Sequence, residues 1–134
     1  MKLKILSYIA LGIAMPWLLS RVIDMNILLT AYILLPLIGS IHELLHLIAI
    51  KILHLDHRFI VNGLFIGFYI NTNSPKNIVI AASLPQITTI ALIIIYIVFN
   101  SYLALALSIY HTALSLEDIA KIFRYTLLYH NISL

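Results

Sequence analysis

Twenty-two consecutive residues, Ile78–Phe99, carry no charged side chain. At about 1.5 Å per residue, a helix of that length spans the hydrocarbon layer of a bilayer, about 30 Å thick. The rest of the chain agrees with this reading. Of its 134 residues 63% are apolar and 10% charged, and its mean hydropathy is +1.07. An ordinary soluble domain carries about 25% charged residues. A domain this small has much surface for its volume, and so few charges cannot cover it. A typical soluble domain and a disordered chain are both excluded. The expectation is one membrane-embedded domain over residues 1–134, all-α, with about four spanning helices.

The other runs set out the order of elements. Ile5–Leu19 follows Lys2 and Lys4 and reads as a retained first span, because no small-x-small cleavage site comes after it. Ile27–Ile50 is a second span, with Pro36 and Gly39 inside it. Ile78–Phe99 is the third, interrupted by Pro85, and Tyr102–Leu116 the fourth. Between the second and third, Asn62-Gly63 is a hairpin signal, flanked by Arg58–Val61 and Leu64–Ile70, which are rich in β-branched and aromatic residues. Gly67 is read as a bulge. After Ser115, residues Leu116, Ile119, Ala120, Phe123 and Leu127 recur at helical spacing, with Lys121 and Arg124 off that face. This predicts a C-terminal amphipathic helix at the membrane surface.

The charges give orientation rather than a binding surface. The eight Lys and Arg are scattered and form no basic stripe, which argues against a nucleic-acid partner. With four alternating spans and a cytoplasmic N-terminus, Lys2, Lys4, Lys51, Arg58, Lys76, Lys121 and Arg124 lie inside and Arg21 outside. That bias predicts a multi-pass protein of the cell membrane with both termini and the hairpin in the cytoplasm.

Cysteine is absent, so any metal must be held by His, Asp or Glu. His42-Glu43-Leu44-Leu45-His46 has the order H-E-x-x-H inside the second span. Residues i and i+4 share a helical face, so both imidazoles reach one zinc ion, and the Glu after the first His is placed to act as general base on water. Ionisable groups within a span are costly and functional by default. The competing reading is a polar cluster hydrogen-bonded across the helices.

A catalytic zinc takes three protein ligands and water, so a third ligand is needed. His54 and His57 lie too far along the chain from His46, and Asp24 falls on the other side of the membrane. Asp118, Glu117 and His111 remain, with Asp118 the first choice because its depth matches that of His46. The alternative for Asp118 is helix capping, since Ser115-x-x-Asp118 is a capping box. His111 is otherwise an interhelical hydrogen-bonding group or a support behind a ligand.

The H-E-x-x-H motif, the Asn62-Gly63 segment, Ala81-Ala82-Ser83-Leu84-Pro85 and Glu117-Asp118-Ile119 together resemble the zincin peptidase family related to the site-2 proteases. In that group a zinc helix is followed by a hairpin, a proline-containing span and a last helix that supplies an aspartate, and this order runs here from Ile27 to Arg124. The resemblance implies zinc on His42, His46 and Asp118, with Glu43 as catalytic base. The Asn-Pro-Asp-Gly form of site-2 proteases is missing. The function so implied is zinc-dependent hydrolysis of peptide bonds in membrane or membrane-adjacent substrates, with lipid as the surrounding partner. The alternative is a non-catalytic assembly subunit with a structural metal or polar cluster.

Overall fold

A computed structural model of the chain describes residues 14–62, 65–72 and 74–132. Most of the predicted first span therefore lies outside the described residues, apart from a helical stretch at 14–19. Helix α1 (Met25–Ile52) starts at Asp24, whose carboxylate accepts from the Asn26 N–H at 2.8 Å, and it continues through Pro36. The antiparallel strands β1 (Asp56–Asn62) and β2 (Phe65–Asn71) follow. Then come α2 (Pro75–Ser83), α3 (Gln86–Phe99), α4 (Tyr102–Leu114) and α5 (Leu116–Ile132). Among the described residues the structure is thus mostly helical, with the one small antiparallel sheet that the hairpin signal predicts.

Local chemistry sets these boundaries. Pro85 has no N–H and cannot extend the ladder of α2, so the third apolar run is built as two helices meeting at Leu84-Pro85. Asn100 ends α3 in the left-handed region (φ 51°), which Asn tolerates, and Ser101 caps α4 by accepting from the Ala104 N–H. The pairing of β1 with β2 is unbroken from Asp56↔Asn71 to Asn62↔Phe65. Asn62 therefore belongs to the ladder, while its partner in the predicted turn, Gly63, lies outside the described residues. Gly67 pairs regularly with Ile60, which corrects the bulge reading. Phe59 and Phe68 stand opposite each other with ring centroids 5.5 Å apart, a cross-strand pair that helps fix the register.

The core lies between α1, α3 and α4. Leu28, Ala31, Ile38, His42 and Ala49 of α1 recur at spacings of three, four and seven, which is one face of a helix, and all are buried. Leu28, Ala31 and Ile38 pack in one cluster with Leu92, Ala104, Ala106 and Leu107, where the alanines allow close approach. His42 thus occupies a position in the packed stripe. On the outward side of α1, Leu29, Ile33 and Leu37 are exposed, Ile33 by 76%. Two helical stretches, Met25–Ile52 and Pro75–Phe99, are long and apolar enough to cross a membrane.

Helix α4 has 13 residues, so it reaches only about 20 Å, short of a full hydrocarbon layer. Helix α5 leaves Leu116, Phe123 and Leu127 of its apolar face exposed and buries Asp118. The cause is polar. The Asp118 carboxylate has partners on α1, and α5 rotates to deliver it there.

Candidate metal centre

Asp118 lies 76 positions from His42 and 72 from His46, yet the three side chains converge. Asp118 Oδ2 is 3.0 Å from His42 Nε2 and 3.1 Å from His46 Nε2, and the two Nε2 atoms are 3.1 Å apart. His42 and Asp118 are buried, at 8% and 7% exposure, and His46 is half-buried. The shortness of α4 explains the meeting. It lets α5 begin beside the C-terminal third of α1, about 9–15 Å from the end of that helix.

The three atoms fit a cation. His46 Nδ1 is 2.9 Å from the Ala81 carbonyl oxygen, which can only accept, so that nitrogen carries the hydrogen. Neutral His46 then directs its Nε2 lone pair at a carboxylate oxygen and another imidazole nitrogen. A proton or a metal ion must lie among them to remove the repulsion. Ligand atoms about 2 Å from a shared tetrahedral centre stand about 3.3 Å apart, close to the spacings seen. Imidazole and carboxylate are also zinc's ordinary ligands when cysteine is absent. Among the described residues this is the one group of three His, Asp or Glu side chains able to hold an ion.

The groups around the triangle are arranged to aim it. The Ala81 carbonyl is available because the residue four places on is Pro85, which has no N–H to bond it. Asp118 Oδ1 accepts from Lys121 Nζ at 3.2 Å, which leaves Oδ2 for the two histidines. Burial alone pushes the Asp118 carboxyl up; the hydrogen bonds to His42 and His46, aided by the charges of His46 and Lys121, outweigh it and hold the group well below the usual carboxylate range. Burial pulls the Lys121 ammonium down, but Asp118 and Glu117 outweigh it and hold the group above its ordinary value.

Glu43 Oε2 is buried and has no hydrogen-bond partner among the described residues. A buried carboxylate oxygen in that state is costly unless water or a ligand group completes it. The hairpin closes over this side: a Cβ at Gly67 would meet Glu43 Oε2 at 3.9 Å.

The structure therefore brings together His42, His46 and Asp118, with Glu43 on the same turn of α1 as His42. Glu117 is on the exposed side of α5, beside Lys121. His111 sits behind His42, with Nε2 3.0 Å from His42 Nδ1 and Nδ1 2.6 Å from Thr89 Oγ1. Thr89 and the Ala81 carbonyl were not among the groups expected from sequence. Pro85 was a visible signal for the carbonyl; a threonine in an apolar run was none. His54, with φ 51°, stays in the connection before β1, and His57, whose Nδ1 donates to the Leu55 carbonyl, is an exposed residue of β1.

No curated protein and no solved structure matches the chain. A family described as "putative zincin peptidase" matches residues 33–127, which covers α1 from before the H-E-x-x-H turn through the Asp118 helix. The match takes in both halves of the triangle and covers well over half of the sequence, so the chain belongs to this zincin peptidase family.

Proposed function

We propose that the protein is a membrane-embedded zinc metallopeptidase, related to the site-2 proteases, that hydrolyses peptide bonds of membrane or membrane-adjacent substrates. His42, His46 and Asp118 hold the zinc, and Glu43 is the general base. One observation carries this reading: two imidazole nitrogens and a carboxylate oxygen converge at 3.0–3.1 Å, next to a glutamate whose buried oxygen has no partner among the described residues.

A zinc ion at this place supplies Lewis acidity toward a carbonyl oxygen and lowers the pKa of water. The remaining work belongs to the chain. Glu43 takes a proton from the attacking water at its carboxylate and delivers it to the leaving amide nitrogen. The ladder edge of β2, which approaches Glu43 at Gly67, holds the substrate backbone extended by strand addition. The hydrogen bond from Lys121 keeps Asp118 oriented through one oxygen.

The membrane reading draws support from surface chemistry. The outward faces of α1 and α3 are apolar, with Ile33, Ile97 and Val98 exposed, and water would require polar residues there. The Lys and Arg bias puts the hairpin and both termini in the cytoplasm. Within this topology α4 serves as a short fourth segment that ends inside the layer.

The deciding experiment uses purified full-length protein in lipid nanodiscs, with an unstructured peptide tethered to a single-span substrate. Wild type holds about one zinc per chain and cleaves the substrate. Glu43→Gln keeps the zinc and loses cleavage. Zinc with no cleavage in wild type would make the protein a non-catalytic subunit with a structural metal. Labelling of Asn62→Cys from outside intact cells would overturn the topology; the chain has no native cysteine to interfere.

A further inference from the structure

The hydrogen-bonded chain behind His42 runs through three helices. His42 of α1 meets His111 of α4, and His111 meets Thr89 of α3. His111 is fully buried, at 0% exposure, and its ring is tilted 59° from that of His42 with centroids 5.1 Å apart. Both of its nitrogens have partners, and its Nε2 faces the side of His42 opposite to Asp118. It is therefore not placed to join the triangle.

Proton counting gives this chain a direction. A neutral imidazole has one N–H and one lone pair. If His42 Nε2 gives its lone pair to a cation, the His42 hydrogen is on Nδ1 and points at His111 Nε2. That nitrogen must accept, so the His111 hydrogen is on Nδ1 and points at Thr89 Oγ1, which accepts in turn. Only one of the two tautomers of His111 satisfies every link. We infer that His111 is a positioning residue for the metal centre: with Thr89 it locks His42 in the tautomer and ring plane that present Nε2 to the ion. The Ala81 carbonyl serves His46 in the same way, but through the backbone. His111 and Thr89 make this support alterable by mutation.

This inference rests on the zinc reading of the triangle, and the experiment separates the two. Zinc affinity is measured by chelator competition on the full-length protein in detergent, with wild type first. His111→Leu removes the acceptor and weakens zinc binding by about 10–100-fold, the usual cost of losing a partner behind a metal-bound histidine. His111→Gln keeps an amide oxygen that can accept from His42 and stays within about threefold of wild type. Thr89→Val falls between them. In zinc-loaded wild type labelled with ¹⁵N-histidine, His111 is in the Nδ1–H form, a result that needs no variant to fold. Equal affinity in wild type and a folded His111→Leu, or His111 in the Nε2–H form, overturns the positioning role and leaves the zinc site standing. Failure of wild type to bind zinc overturns both.

Discussion

Two regions of the molecule collect ionisable side chains around histidine, and they differ in what happens to them. At the open end of the hairpin, Asp56, His57 and Arg58 stand close together in the chain, beside Tyr69 and Asn71 on the opposite strand. All three of the first group are exposed, and the His57 Nδ1 hydrogen goes to a neighbouring backbone carbonyl. On α1, His42 and His46 are joined by a carboxylate from the far end of the sequence, and each imidazole has a separate partner on its other nitrogen. Residue types alone do not distinguish the two groups. The difference is burial together with a second layer of partners, which fixes where each lone pair points. At the hairpin the Leu55 carbonyl also takes the His57 Nδ1 hydrogen, but the side chains are exposed and, among the described residues, no three ligand atoms converge there.

The contrast can be broken most directly by removing histidines in pairs. His42→Ala/His46→Ala takes the zinc content of purified protein from about one per chain to near zero, while His54→Ala/His57→Ala leaves it unchanged. Mass-spectrometric metal analysis reads both, and loss of metal in the hairpin pair would reverse the assignment. Next in size is the carboxylate. Asp118→Asn removes the charge that offsets the ion and loses most of the zinc, whereas Asp56→Asn and Glu117→Gln retain it. A larger loss in Glu117→Gln than in Asp118→Asn would make Glu117 the ligand.

A smaller effect tests the second layer through the backbone. Pro85→Ala restores an N–H that competes with His46 for the Ala81 carbonyl, and weakens zinc binding by about tenfold. Pro36→Ala, on the same helix as the histidines but away from them, changes zinc affinity little; chelator titration compares the two. The smallest effect on metal is at the hairpin glycine. A methyl at Gly67 makes an ordinary contact with Glu43. Gly67→Ala therefore leaves zinc affinity within about twofold, and Gly67→Val, which crowds the glutamate, lowers turnover without removing metal. Metal loss in Gly67→Val would mean that the hairpin supports the ligands rather than the base.

What was legible in the sequence was what depends on neighbours along the chain. The i, i+4 spacing of His42 and His46 is a property of one helix, and the two strands announced themselves by their β-branched and aromatic residues. The Asn100-Ser101 break was visible for the same reason. The rotation of α5 was not. Glu117 and Asp118 are adjacent on a helix and point about 100° apart, so which one faces α1 depends on packing against other elements. The spacing of Leu116, Phe123 and Leu127 marks the face those three share, not which carboxylate is turned to α1. A glycine within a strand often marks a bulge, but Gly67 pairs regularly with Ile60, and what sets it apart is its approach to Glu43, a tertiary contact. Pro85 signalled a break in a helix without saying which side chain would use the carbonyl it frees.

The separation of 76 residues between His42 and Asp118 bears on how the protein is made. Helix α1 leaves the ribosome with both of its imidazoles, but their carboxylate has yet to be synthesised. At about 5–20 residues per second, the interval is about 4–15 s. A chain halted anywhere in that window carries the whole H-E-x-x-H turn and no complete centre. Under the proposed function, a chain at that stage has the general base and two ligands but lacks the third, and so lacks the activity. The order of the two helices along the chain, α1 well before α5, is enough to impose that delay.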